Sequence, residues 1–141
     1  MQSERNTVQS IQESPKQFSM QRALATARAA IDKKAENVKI LDLTDLSGFT
    51  EYFVVCSGIS TRQVQAIANS VEHVMDSTGH GALSLEGYNE GRWVLLDFGD
   101  VVVHVFLDVL RDYYDLESLW ANAPRVKIPP EFYAPGASPL N

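Results

Sequence analysis

The chain has 141 residues, 45% of them hydrophobic and 21% charged, which is the size and composition of one globular domain with a substantial apolar core. A single cysteine excludes an internal disulfide, and a formal net charge of −6 disfavours a protein that binds nucleic acid chiefly through its phosphates. The first residues are polar and include Glu4 and Glu13, unlike a signal or transit peptide, and no apolar run approaches the roughly 20 residues of a membrane span.

The first predicted element is an amphipathic helix. Residues 1–16 precede it and are rich in Ser, Gln, Asn and Glu without periodicity, which predicts a disordered segment. From Gln17 to Lys34, apolar residues recur at intervals of three and four, which predicts a helix with a basic outer face. The apolar positions are Met20, Leu24, Ala27 and Ile31.

Two strands and a second helix follow. Asn37–Leu43 alternates between apolar and polar residues and predicts a short strand, whereas Glu51–Ser57 is apolar enough for a central strand. Ser60 and Gln63 then have the spacing of a capping box, so a helix is predicted to begin there. Its apolar spacing persists until Gly79, which is typical of a left-handed cap after the C-terminal end.

The most informative stretch is a predicted β-hairpin that follows a third strand at Ala82–Glu86. If Gly99 and Asp100 form a two-residue turn, Phe98 opposes Val101, and alternation leaves one face of the hairpin wholly apolar. A three-residue turn with a bulge would shift this pairing by one residue. The opposite face, called the mixed face below, consists of Trp93, Leu95, Asp97, Val102, His104 and Phe106.

The mixed face is the first candidate for a binding surface. Buried Asp and His are costly unless they are paired, and the indole N–H of a Trp prefers a hydrogen-bond partner. The alternative is that Trp93 and His104 pack beneath the terminal helix of the domain. The sequence leaves both interpretations open.

A final helix and a proline-rich segment complete the predicted elements. Asp108–Trp120 combines apolar and acidic residues and predicts one helix, whereas five of the six prolines follow Ala121. Segment 121–141 is therefore predicted to be extended and mobile, leaving one domain over residues 17–120. The element order predicts an α/β fold with a mixed sheet of about five strands flanked by helices.

Charge is unevenly distributed along the chain. Residues 1–34 carry six Lys or Arg and three Asp or Glu, and the remainder carries six against fifteen. Residues 86–117 alone hold eight acids and two arginines, for a net charge of −6. This pattern favours a basic protein partner, although a solvated acidic surface explains it equally well.

Motifs for catalysis and metal binding are incomplete. Gly58–Thr61 before a helix resembles an anion-binding loop, but it lacks the second glycine and the lysine of a P-loop. Asp97 lies diagonal to His104 as half of a catalytic triad, with no Ser or Cys to complete it. The three histidines are too scattered for a metal site, so no metal and no cofactor are expected.

Five segments of the chain carry a family resemblance, and they are Lys34–Asn37, Tyr52–Gly58, Arg62–Ala68, Glu86–Phe106 and Tyr113–Trp120. In order and spacing the chain resembles the ribosomal silencing factor family, also called Iojap-like proteins, over about residues 18–126. The resemblance implies a non-catalytic protein of the cytoplasm that binds the large ribosomal subunit through ribosomal protein L-fourteen. Such a protein obstructs joining of the small subunit and represses translation when nutrients are scarce. A nucleotidyltransferase-like fold and a homodimer in the free state are also implied.

The resemblance and the mixed face predict the same partner-binding site. The Trp-bearing strand of the family corresponds to Trp93, which with Leu95 would supply apolar anchors, while Asp97 and Asp100 would accept hydrogen bonds from Arg or Lys. His104 would pack or form a hydrogen bond. The predicted site comprises Glu86, Tyr88, Trp93, Leu95, Asp97, Gly99, Asp100 and His104.

An alternative is a nucleotidyltransferase-like enzyme that uses the turn at Gly58–Ser60 for a triphosphate. Such an enzyme needs two or three carboxylates that converge on magnesium, and the strands that follow contain no Asp-x-Asp pair. Shared fold alone gives no evidence of this activity. The sequence therefore favours a non-enzymatic regulator.

Overall fold

A computed structural model describes residues 14–133. Its elements are α1 (Pro15–Asp32), β1 (Glu36–Asp42), β2 (Tyr52–Gly58), α2 (Thr61–Asp76), β3 (Ser84–Glu86), β4 (Trp93–Asp97), β5 (Val101–Leu107), α3 (Asp108–Tyr114), α4 (Leu116–Leu119), β6 (Arg125–Val126) and a 3-10 turn (Pro130–Phe132). Within this part of the chain, no helix has both the length and the apolar character needed to cross a membrane.

The six strands form one mixed sheet in the order β3-β4-β5-β2-β1-β6. β2 and β5 pair in parallel at its centre, and every other neighbouring pair is antiparallel. The predicted α/β class is confirmed, as are the five predicted strands. Strand β6 was not predicted.

The apolar face of the β4–β5 hairpin belongs to the main core. α1 and α2 cover this side of the sheet, and all six apolar-face residues are buried there, namely Val94, Leu96, Phe98, Val101, Val103 and Val105. The predicted register is confirmed, because Trp93 pairs with Phe106 and the amide N–H of Phe98 donates to the carbonyl of Val101 at 2.9 Å. Gly99, the first residue of the two-residue turn, has φ +90°, and this type of hairpin turn requires a positive φ at that position.

A second, smaller core lies on the other side of the sheet. Its buried members are Leu41, Leu43, Phe53, Val55, Val102, Phe106 and Ala123. Leu116 and Trp120, from the segment that follows β5, pack against it. The mixed face of the hairpin therefore faces this second core, partly covered by α3 and α4.

The helix starts differ in detail from the sequence predictions. α1 begins at Pro15 with a full capping box, in which Ser14 Oγ accepts from the Gln17 N–H at 3.1 Å and Gln17 Oε1 accepts from the Ser14 N–H at 2.9 Å. Ser14 to Lys16 thus belong to the folded domain, and the predicted disorder of residues 1–13 lies outside the described residues. At α2, the Ser60 hydroxyl caps Gln63 as predicted, but Gln63 Oε1 accepts from the N–H of Ile59 instead of Ser60.

The C-terminal predictions need two corrections. The single helix predicted over Asp108–Trp120 is broken at Asp115, whose φ of 47° and ψ of 46° are left-handed and end α3. The segment predicted to be extended and mobile contains ordered structure, because Arg125–Val126 pairs with β1 and Pro130–Phe132 forms a 3-10 turn. Residues 134–141 lie outside the described part of the chain.

Candidate functional site

The mixed face divides into a packed half and an open half. Far from the hairpin turn, its side chains join an aromatic cluster that consists of Phe53, Trp93, His104, Phe106, Tyr114 and Trp120. The ring of Trp93 lies 5.0 Å from that of Phe106 and 4.7 Å from that of Tyr114, measured between centroids. His104 and Phe106 are only 3% and 0% exposed. His104 is thus packed inside, as the alternative interpretation predicted, whereas Trp93 is only partly buried.

His104 is a neutral, buried member of the aromatic cluster. Burial lowers the pKa of its imidazole to about 4, so the ring carries no charge near neutral pH. Its Nδ1 accepts the indole N–H of Trp93 at 3.1 Å, which leaves the ring proton on Nε2. Because Trp93 and not Asp97 orients the imidazole, the partial triad that the sequence suggested is absent.

The open half of the mixed face forms a cleft of about 380 Å³ next to the hairpin turn. This turn-side cleft is lined by Phe49, Phe53, Leu83, Leu95, Asp97, Gly99, Val102 and His104. Phe49 and Leu83, 66% and 75% exposed, form its rim. Exposed apolar side chains around a concave surface are typical of a protein-binding site.

Three of the cleft residues, Phe49, Phe53 and Leu83, were missed by the sequence predictions, and Phe53 is a residue of the central strand β2. Phe49 lies in the loop between β1 and β2, and Leu83 lies just before β3. Phe49 is an apolar residue amid the turn signals of Asp45, Ser47 and Gly48, and this was the available signal. Only the tertiary fold brings Phe49 and Leu83 beside β4.

Asp97 and Asp100, the two acids beside the hairpin turn, differ in whether their carboxylates are free to bind a partner. Asp97 is half-buried at the cleft, and its Oδ1 accepts the N–H of Gly99 at 2.8 Å, which leaves its other oxygen at the surface for a partner. Asp100 instead forms an ion pair with Arg22 of α1 at 3.0 Å. The Arg22 side chain is 8% exposed, so Asp100 stabilises the fold by neutralising a buried cation. The carboxylate that was predicted to accept from a partner's Arg or Lys is thus already paired within the chain.

Glu86 and Tyr88, the two remaining residues of the predicted site, lie in different surroundings. Glu86 pairs with Leu95 across β3 and β4 and is exposed at the edge of the mixed face. Tyr88 lies against α2 instead, where its hydroxyl accepts from Asn69 Nδ2 at 2.9 Å and its carbonyl accepts from Gln65 Nε2 at 2.9 Å. Tyr88 therefore holds the loop before β4 and lies away from the turn-side cleft.

A buried ion pair holds the helices that cover the aromatic cluster. Arg111 of α3 is 3% exposed, and its Nε and Nη2 donate to the two carboxylate oxygens of Glu117 in α4 at 3.1 and 3.0 Å. Its Nη1 donates to Ser57 Oγ of β2 at 2.9 Å. The hydrogen bond from Arg111 lowers the pKa of Glu117, which keeps the carboxylate charged. Arg111, Glu117 and Ser57 are called the Arg111 clamp below.

The outer surface of α3 extends the exposed apolar area on this side of the sheet. Val109 and Tyr113, one helical turn apart, are each 79% exposed. Exposed Asp108 and Asp112 lie on the same short helix. The neighbouring Tyr114 is 41% exposed and packs on Trp93, so this acidic and apolar surface borders the aromatic cluster.

Chemistry elsewhere in the described residues is limited. The N–H groups of Ile59 and Gln63 at the start of α2 already donate to side chains, which removes two donors from the loop that resembled an anion site. Burial raises the pKa of the Cys56 thiol to about 12, so it is unsuited to nucleophilic attack. Across residues 14–133, no three His, Cys, Asp or Glu side chains are arranged to hold a metal ion.

Comparisons with known proteins agree on one family. The family described as "Ribosomal silencing factor during starvation" matches residues 15–138. The chain is 48% identical to the ribosomal silencing factor RsfS of Bacillus subtilis (strain 168) over 98 residues, which are 70% of this chain and 83% of that protein. It is 33% identical to the chloroplastic protein Iojap of Arabidopsis thaliana over 107 residues, 76% of this chain and 44% of that protein. A crystal structure of a Chromobacterium violaceum protein, 35% identical, aligns with a TM-score of 0.71 and covers 86% of this chain and 98% of that one.

Proposed function

The chain belongs to the ribosomal silencing factor (RsfS or Iojap) family, and we propose that it binds the large ribosomal subunit through ribosomal protein L-fourteen. The bound protein obstructs joining of the small subunit and thereby represses translation when nutrients are scarce. The main structural support for the location of this binding surface is the turn-side cleft.

The binding surface combines apolar anchors with acidic neighbours. Leu95 lines the cleft, exposed Phe49 forms part of its rim, and Tyr114 is exposed beside Trp93 in the neighbouring aromatic cluster. Interfaces derive most of their affinity from a few apolar and aromatic side chains that become desolvated on binding. Trp93 supports this surface from within the aromatic cluster, so its role includes both contact and positioning.

The charges of this side of the molecule favour a basic partner. Asp97 lies at the cleft, Glu86 lies at its β3 edge, and Asp108 and Asp112 are exposed on α3. No ion pair is formed by these four carboxylates with any residue from 14 to 133. They are therefore available to Lys and Arg of a partner, and they disfavour direct contact with rRNA phosphates.

A homodimer in the free state is a second part of the proposal. Phe49, Leu83, Val109 and Tyr113 are exposed apolar side chains on one side of the sheet. Apolar area of this kind is commonly covered by a second copy when the partner is absent. Sedimentation velocity should then show a dimer of the free protein, and substitution of Phe49 by Asp should shift it towards the monomer. A strictly monomeric wild-type protein at high concentration contradicts this part.

The alternative of a nucleotidyltransferase-like enzyme has less support. Two N–H donors at the start of α2, which a triphosphate would need, already bond to side chains. The glycine at position 58 is explained by close packing against α2, because a Cβ there would lie only 3.0 Å from the backbone nitrogen of Val64. Magnesium-dependent nucleotide binding by the purified protein would favour the enzyme.

Co-sedimentation with isolated ribosomal subunits tests the function directly. The protein should pellet with large subunits and not with small ones, and purified L-fourteen added in excess should release it. Large subunits loaded with the protein should also fail to form complete ribosomes when small subunits are added. Pelleting with small subunits, or normal ribosome formation by the loaded large subunits, would refute the proposal.

A further inference from the structure

We propose that Arg111 is a positioning residue for the binding surface, which it controls by holding Tyr114 against Trp93. This inference rests on the proposed function. Arg111 itself is 3% exposed and has no surface to offer a partner. Any effect it has on binding must therefore be exerted through the residues that it holds.

The break between α3 and α4 is what makes such a clamp necessary. Asp115 ends α3 in a left-handed conformation, with φ 47°, and neither short helix has a side-chain N-cap. Helices of seven and four residues are too short to be stable alone, so tertiary contacts must fix their direction. The bidentate pair from Arg111 to Glu117 spans this break directly.

The clamp also fixes the two helices to the centre of the sheet. Nη1 of Arg111 donates to Ser57 Oγ, and Ser57 is a fully buried residue of β2, one of the two central strands. Tyr114 lies next to the break and is held over Trp93, and the residue is 41% exposed. Loss of the clamp would leave the sheet intact and allow Tyr114 to move away from Trp93.

Lysine and arginine differ in the property on which this inference depends. A guanidinium can donate to both oxygens of Glu117 and to Ser57 together, whereas an ammonium group cannot reproduce this planar fork. Arg111→Lys therefore keeps the charge and removes the geometry. Lys39→Gln is the matched control, because Lys39 also approaches Glu117, at 3.6 Å, but is 42% exposed and lies outside the clamp.

Binding to isolated large subunits and amide hydrogen exchange test the inference together. Arg111→Lys should weaken binding about tenfold and speed exchange in residues 108–120, with exchange in β2 and β5 unchanged. Tyr114→Ala should weaken binding similarly, and the double variant should bind no more weakly than Tyr114→Ala alone, because both changes remove the same contact. Lys39→Gln should bind within about twofold of the wild type, as expected for an exposed pair.

Several results would overturn the inference. If Arg111→Lys binds with wild-type affinity although its residues 108–120 exchange rapidly, Arg111 stabilises α3 and α4 without affecting binding. Multiplicative losses in the double variant would show that Arg111 does not act through Tyr114.

If Arg111→Lys fails to fold, Ser57→Ala removes only one hydrogen bond of the clamp, and unchanged affinity in that variant contradicts the inference. If the wild-type protein does not bind large subunits, the proposed function fails instead, and unchanged exchange in residues 108–120 would then refute the clamp separately.

Discussion

The indole N–H of Trp93 donates to Nδ1 of His104 at 3.1 Å, diagonally across the β4–β5 ladder. This bond joins two of the three polar side chains of the mixed face and gives one ring nitrogen of His104, which is 3% exposed, a partner. Trp93→Phe keeps an aromatic ring but leaves Nδ1 buried without a donor. We expect a loss of about 2 kcal/mol in the free energy of unfolding, measured with urea.

Trp120→Phe is the matched control for that substitution. The Trp120 ring packs in the same aromatic cluster, 6.0 Å from Phe53, and its indole N–H makes no hydrogen bond to the residues from 14 to 133. Its replacement should therefore cost less. Equal losses for the two variants would show that the hydrogen bond contributes little beyond packing.

Protonation of His104 should make the protein less stable in mild acid. The pKa of the folded imidazole is about 4, below the value of 6.5 for an unperturbed histidine. As pH falls from 6.5 towards 4, the unfolded chain takes up a proton that the folded chain does not, so stability declines by an amount of the order of 3 kcal/mol. His104→Asn keeps an acceptor for Trp93 and removes the titration. The wild type should thus lose more stability than this variant between pH 7 and pH 4.5, and parallel losses would contradict the assignment.

The ion pair between Arg22 and Asp100 should be strongly asymmetric in its response to substitution. Asp100→Ala leaves Arg22, whose side chain is 8% exposed, as a buried cation without its partner, and this should cost about 3–5 kcal/mol. Arg22→Met leaves the more exposed Asp100 carboxylate and should cost less. Denaturation of both variants and of the double variant tests this, and a larger loss for Arg22→Met would contradict it.

The hairpin turn depends on the backbone of Gly99. Gly99 has φ +90°, and a Cβ there would meet Leu83 only at an ordinary 3.5 Å, so the cost of Gly99→Ala comes from the backbone alone. We expect a loss of about 1–2 kcal/mol in thermal or urea unfolding. Gly48→Ala is the control, because Gly48 has no positive φ and no atom within 4 Å of an added Cβ. Similar stabilities for the two variants would refute this role of Gly99.

Local sequence patterns predicted the hairpin because its determinants are local. Alternation separates the apolar face from the mixed face, and a two-residue turn at Gly99 and Asp100 fixes the register. The first helix was predicted for the same reason. Its start was placed too late because the cap at Ser14 lies in a polar stretch that otherwise lacks periodicity.

Long-range partners explain what the sequence could not predict. Arg22 is 78 residues from Asp100 in the chain, so nothing near Asp100 indicates that its carboxylate is already paired. Strand β6 has only two residues and is a strand only because it pairs with β1. Arg111 likewise bonds to Ser57 of β2, 54 residues away, so nothing near Asp115 in the sequence indicates how the two short helices are held. Half of the mixed face is buried for the same reason, since α3 and α4 fold back over it.

Affinity for isolated large ribosomal subunits, compared between Phe49→Asp and Ile59→Asp, tests the central claim most directly. Both side chains are exposed apolar residues, 66% and 68%, that lie beyond opposite ends of β2, and only Phe49 belongs to the turn-side cleft. A charge in the cleft should weaken binding at least tenfold, about 1.4 kcal/mol or more, whereas Ile59→Asp should bind like the wild type. Equal affinities for the two variants, or a loss only for Ile59→Asp, would contradict the assignment of the cleft as the ribosome-binding surface.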